Sequence, residues 1–122
     1  MSNLKLSAKQ LRIYVGEQDK YNGKPLYEVL IYEALKAGIA GATAFRGILS
    51  YGSGSLVHSQ KLLDLSFEMP VMIVIIDSEE KINPFIETAN EIIESCEKGG
   101  LITLENVEII KYFQGPGKTG KS

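Results

Sequence analysis

Between Thr43 and Gly52 the chain gathers Thr43, Phe45, Arg46, Gly47, Tyr51 and Gly52, residue types that together can hold a phosphate and a ring. Glycines let backbone N–H groups come close to an anion. A guanidinium presents a planar fork of donors to phosphate oxygens, and Tyr51 or Phe45 can form the aromatic wall that a heterocycle needs. The chemistry implied is binding of a nucleotide-like anion. A second reading stays open: a bulged strand in which Arg46 makes an ordinary surface ion pair.

Other residues with chemical potential are fewer. His58 is the only histidine; it can meet a phosphate or respond to pH, or it can stand solvated in a loop. With no Cys or His partner at ligand spacing it makes a poor metal site. No nucleophile or carboxylate stands at a recognisable catalytic spacing, so no catalytic and no metal-ligating residue is assigned. Glu17, Asp19 and Lys20 form a polar cluster that either lines a binding cleft or makes a solvated turn. Asp77, with Glu80 three positions on, has the spacing of a capping box and is read as a helix cap. Cys96 falls on an apolar helical stripe and is read as core. The tail Gly115-Pro-Gly-Lys-Thr-Gly-Lys-Ser122 matches the P-loop pattern letter for letter. A P-loop needs a following helix to aim its N–H groups at the phosphates. No helix is expected to follow here, nor is a parallel-sheet context expected, so a working P-loop is not expected.

These residues must be positioned by regular elements, and the apolar spacing outlines them. Leu11, Ile13 and Val15 alternate up to Gly16, which predicts a first strand. Glu17 to Lys24, containing Asn22-Gly23, reads as a loop. Pro25 suits the first turn of a helix, and Leu26, Leu30, Ile31, Ala34 and Leu35 recur at helical spacing up to Gly38. A second strand is expected from about Ala40 to Ser50, followed by a long loop that Tyr51-Gly-Ser-Gly-Ser55 opens. Val71 to Ile76 is a continuous apolar run and reads as a strand buried on both faces. Ile82, Phe85, Ile86, Ala89, Ile92, Ile93 and Cys96 make a second helical stripe, ending at Gly99-Gly100. The last segment alternates from Leu101, slips phase at Glu105-Asn106 and resumes at Val107 and Ile109. That slip predicts a bulge or tight turn dividing it into two short strands.

The order β-α-β-β-α-β is α+β: a ferredoxin-like split βαβ domain, an antiparallel sheet with two helices on one face. Residues 1–10 read as an N-terminal extension, 11–113 as the folded domain and 114–122 as a flexible tail. Two helices shield one face of a sheet, whereas Val71 to Ile76 is apolar on both. Another copy of the chain is therefore expected to cover the second face.

Composition narrows the functional classes. At 122 residues the chain supports one core. A formal net charge of −2 gives no global electrostatic reason to expect nucleic acid or an anionic membrane as partner. The longest apolar stretch, Val71 to Ile76, falls far short of the roughly 20 residues of a spanning helix. Met1 to Gln10 lacks the apolar run of a secretory signal, and the single cysteine excludes an intrachain disulfide. A cytoplasmic protein is expected.

A resemblance joins these observations. Leu11-Arg-Ile-Tyr-Val-Gly-Glu-Gln-Asp-Lys20, Pro25-Leu-Tyr27, Gly38-Ile-Ala-Gly-Ala-Thr-Ala-Phe-Arg-Gly47 with Tyr51-Gly52 and His58, and Met69-Pro70 through Asp77-Ser-Glu-Glu-Lys-Ile82 together resemble an uncharacterised family of PII-like proteins. The likeness runs over roughly Leu11 to Tyr112. The Gly-Ala-Thr…Arg-Gly…Tyr-Gly stretch also resembles the strand that leads into the effector loop of nitrogen-regulatory PII proteins.

This resemblance implies a PII-like homotrimer with sheets facing inward and adenine-nucleotide sites in the clefts between subunits. It further implies a loop at 51–67 that reports occupancy to a protein target, with no chemistry of its own and no covalent cofactor. Under it the ligand-binding set is Thr43, Phe45, Arg46, Gly47, Tyr51, Gly52, His58, Glu17 and Lys20. One departure matters: PII proteins carry a longer Gly/Lys-containing loop after the second helix that helps hold phosphates. Here Glu97-Lys98-Gly99-Gly100 leads directly into a strand, which argues against triphosphate specificity and 2-oxoglutarate sensing and favours AMP, ADP or a cyclic nucleotide, with ATP kept in the ligand class. Two other classes share the architecture, structural or metal-tolerance trimers of the CutA type and small acylphosphatases. The first lacks a His/Cys cluster here. The second uses an arginine in the loop after the first strand, and that loop is acidic in this chain.

Overall fold

The computed structural model of the chain describes residues 6–48, 69–113 and 115. In chain order its elements are β1 (Leu6–Gly16), β2 (Lys20–Tyr21), β3 (Lys24–Pro25), α1 (Leu26–Lys36), β4 (Ala42–Arg46), β5 (Pro70–Asp77), α2 (Glu79–Glu94) and β6 (Leu101–Ile109). The main sheet has the order β4-β5-β1-β6, and every neighbouring pair in it is antiparallel. With the small β2–β3 hairpin set aside, this is the ferredoxin-like βαββαβ arrangement expected from the apolar spacing.

The core forms where the strand and helix periods meet. Leu11, Ile13 and Val15 of β1 lie opposite Ile75, Ile73 and Val71 of β5, and all are buried. Residues directly opposite in a ladder point to the same face. That face receives Leu26, Leu30 and Ala34 from α1 and Ile82, Phe85, Ala89 and Ile92 from α2. Cys96 packs against the same cluster, and its Sγ–H donates to the Lys20 carbonyl at 3.2 Å. The thiol therefore ties the end of α2 to β2.

Each helix end has a local cause. Pro25, with φ −58°, precedes α1, where its missing N–H leaves no donor unpaired. At the other end Gly38 N–H reaches the Leu35 carbonyl at 3.0 Å and Ile39 N–H reaches that of Ala34 at 3.1 Å. Gly38 has φ +79°, and this pair of bonds with a left-handed residue is a Schellman stop. Ile39 then turns into the core. The loop read before α1 is a short hairpin: Lys20 pairs with Pro25 and Tyr21 with Lys24. Its tip is Asn22-Gly23, with φ of 51° and 81°, the positive pair that a two-residue hairpin turn requires.

Several expectations change. β1 begins at Leu6 instead of Leu11, because it pairs with β6 without interruption from Tyr14↔Leu101 to Leu6↔Ile109. The same ladder shows that β6 is one strand. The slip at Glu105-Asn106 is a change of polarity along an edge strand, with Gln10 Nε2 donating to Glu105 Oε1 at 3.0 Å and Lys9 Nζ to Asn106 Oδ1 at 2.6 Å. Asp77 is the last residue of β5 and does not cap α2; Ser78 is the N-cap residue, without a side-chain bond. The Asp77 carboxylate instead accepts from Ser78 N–H and from Ala40 N–H, holding the turn that enters β4. That turn takes Ala40 and Gly41 out of the expected strand, and Leu49 and Ser50 lie outside the described residues.

A further change concerns β5, whose burial alternates strictly. Val71, Ile73 and Ile75 are buried, while Met72, Val74 and Ile76 are half-buried. The second face is thus open in the single chain. Around it stand Phe45 from β4, Tyr14 from β1 and Leu101 from β6: Phe45 and Tyr14 lie opposite Met72, and Leu101 lies opposite Tyr14. Among the described residues no helix is long and apolar enough to cross a membrane.

Candidate functional site

The antiparallel ladder brings the ends of β1 and β4 beside the start of β5. Gly16 lies opposite Pro70 and Arg46 opposite Val71. Two backbone bonds continue the ladder past these ends: Glu17 N–H donates to the Met69 carbonyl, and Gly47 N–H to the Pro70 carbonyl, both at 2.8 Å. A Cβ on Gly47 would stand 3.0 Å from Pro70 Cγ, so glycine is what lets β4 press this closely on β5. Across the top of β5 the Arg46 guanidinium meets the Glu17 carboxylate, Nε to Oε2 at 2.9 Å. Their side chains are 56 % and 30 % exposed, so the pair is accessible to a ligand.

The sequence-proposed residues divide between two faces. Arg46 shares the helix-side face with Val71, whereas Thr43 and Phe45 lie opposite Val74 and Met72 and stand on the open face. Phe45 therefore cannot stack on a ring held by Arg46 of the same chain on the same side of the sheet. Glu17 and Arg46 are brought together. Gly47 joins them through its backbone. Lys20 is exposed on β2, and Tyr51, Gly52 and His58 lie outside the described residues.

Asp19 separates from the polar cluster in which it was read. It is 6 % exposed, and its Oδ2 accepts from Gly16 N–H at 2.9 Å. Its own N–H returns to the Gly16 carbonyl, and its carbonyl accepts from Leu26 N–H. This carboxylate is consumed in holding the turn between β1 and α1, which leaves Glu17 as the acid of the cluster that reaches outward.

Two features were not singled out from sequence. Arg12 stands on the open face, opposite Val74 and Thr103; its guanidinium lies 3.8 Å from Glu105, and its buried Nε has no hydrogen-bond partner among the described residues. The signal was a lone arginine inside an alternating strand. Separately, an open groove of about 490 Å³ runs between the β2–β3 hairpin and α1, lined by Tyr21, Val29, Tyr32 and Lys36 among others. Among the described residues, none of the proposed ligand set lines it.

A family model, DUF190, described as Uncharacterized ACR, COG1993, matches residues 8–109. The chain belongs to the DUF190 family. Within the described sheet that match runs from Ala8 in β1 to Ile109 at the end of β6. The DUF190 chain is 42 % identical over 102 residues to a UPF0166 protein of Aquifex aeolicus, covering 84 % of this chain and 92 % of that protein. It is 33 % identical over 106 residues to a UPF0166 protein of Methanocaldococcus jannaschii, covering 87 % and 94 %.

Solved structures place the DUF190 chain among PII-like folds. One is CPII of Thiomonas intermedia, described as a nitrogen regulatory PII-like protein bound to ADP, AMP and bicarbonate. It aligns with a TM-score of 0.65 at 18 % identity, over 88 % of this chain and 92 % of that one. Another, described as a candidate PII-like signaling protein of Thermus thermophilus, aligns with a TM-score of 0.63 at 19 % identity, over 87 % and 92 %. The fold is PII-like.

Proposed function

We propose that this protein is a PII-like regulator that binds an adenine nucleotide in clefts between the subunits of a homotrimer. It reports occupancy to a protein target through the segment 51–67. The observation that carries this reading is the junction at the ends of β1, β4 and β5. There an accessible arginine and a close-packed glycine stand where the chain leaves β4 and returns at Met69. The description of CPII as bound to ADP and AMP supports the choice of ligand class.

Assembly is supported by the open face. Phe45 is 50 % exposed and Leu101 56 %, beside the half-buried Met72, Val74 and Ile76. Apolar surface of this kind drives association. Arg12 Nε, buried without a partner among the described residues, is a donor on this face that an acceptor from a second copy would satisfy. In the trimer, Thr43 and Phe45 belong to the subunit boundary, while Arg46 faces the helix side of its own chain. The ligand is thus bracketed by residues of two subunits.

The reading is of binding without turnover, in the cytoplasm, with no covalent cofactor. An arginine that comes from β4 and is met by a carboxylate does not favour the acylphosphatase alternative. Calorimetry with AMP, ADP, ATP and cyclic AMP tests the proposal. Saturable binding of at least one of them, with no phosphate release on prolonged incubation, is the expected result. Absence of heat with all four would overturn it.

A further inference from the structure

Arg46 already has a partner within the chain. Its guanidinium is engaged by Glu17 at 2.9 Å, so an incoming phosphate competes with a carboxylate already in place. Glu17 is itself anchored, because its backbone N–H is bonded to the Met69 carbonyl at 2.8 Å. Its side chain can swing aside but its charge cannot leave the junction. The nearby acid Asp19 is turned onto the Gly16 N–H and remains a second fixed negative group at the end of β1.

From this geometry we infer that Glu17 sets the charge selectivity of the nucleotide site, admitting ligands of low phosphate charge over triphosphates. The inference rests on the nucleotide reading above. An accessible ion pair of this kind shifts an equilibrium by only about twofold to fivefold, so a phosphate that pairs with Arg46 can displace it. Once displaced, the Glu17 carboxylate stands beside the bound anion and repels every further negative charge that the ligand carries. A singly charged cyclic diester meets this repulsion once, a monophosphate somewhat more, and the polyphosphate chain of ATP several times. At a separation of about 8 Å in water each additional charge weakens binding by about twofold. Discrimination against the triphosphate therefore accumulates to about tenfold.

The test is titration of cyclic AMP, AMP and ATP, as probes, into the wild-type chain and into Glu17→Gln, Arg46→Ala and the double variant, at low and high salt. Glu17→Gln is expected to tighten cyclic AMP by about fourfold, half of it from displacement and half from one repulsion, and ATP by about tenfold more than that, with the difference shrinking as salt screens it. Arg46→Ala is expected to weaken all three, and in that background Glu17→Gln should lose its displacement effect of about twofold while keeping the charge-graded one. Both side chains are solvent-accessible, and circular dichroism and a thermal melt establish that the variants are folded. Equal tightening of all three ligands, or none, in a protein that binds nucleotide would overturn the inference and leave the nucleotide reading standing. Failure of both the wild type and Glu17→Gln to bind any of the three would overturn both.

Discussion

Two acids that are neighbours in sequence do different work. Asp19 is buried and spends its carboxylate on the Gly16 N–H, whereas Glu17 reaches an arginine on another strand. Replacing Asp19 with Ala leaves that amide without its acceptor and should destabilise the fold by about 1–3 kcal/mol, read from urea unfolding. Arg46→Ala should change unfolding free energy by less than about 1 kcal/mol in the same assay, because the pair it breaks is accessible to water. The contrast separates a structural carboxylate from an accessible cation without any ligand present. In sequence the cluster 17–20 is one undivided possibility. Nothing in residue type says which acid turns inward; that depends on whether a backbone N–H lies within reach.

Elements are legible where one face is closed by packing within the chain. Leu26, Leu30 and Ala34 mark α1, and Gly38 its end, because a buried stripe and a left-handed stop each demand particular residue types. Gly38→Ala should cost about 1–2 kcal/mol, seen as a lowered midpoint of chemical denaturation. L-residues resist a φ of +79°, and the added Cβ would stand 3.0 Å from Lys81 Nζ. Legibility fails at edges. The apolar pattern divides β6 at Glu105-Asn106, yet these residues pair with Gln10 and Lys9 in unbroken register. An edge strand with solvent beside it tolerates polar residues on either face, so its alternation fades without the strand ending. The hairpin at Asn22-Gly23 likewise reads only as a loop, since two-residue strands are too short to show a period.

For the whole molecule the decisive surface is the open side of the sheet, with Val74 at its middle between Arg12 and Thr43. Met72→Asp, on the same face between Tyr14 and Phe45, should leave the circular dichroism of the subunit intact, because the side chain lies away from the helix-side core, while converting the proposed trimer to monomer in sedimentation velocity. An unpaired carboxylate buried at an interface of this kind is too unfavourable for association to offset. Residue order alone was enough for the βαββαβ succession, both helix stripes, the central apolar strand and the surplus of apolar residues on it, since all follow from the period at which side chains meet a core. Only the folded chain reveals that Arg46 meets Glu17, that Phe45 and Arg46 point to opposite faces, and that Arg12 lacks a partner at Nε among the described residues. Those facts depend on strand register, and register is set by the packing of all four strands at once rather than by any local run of residues.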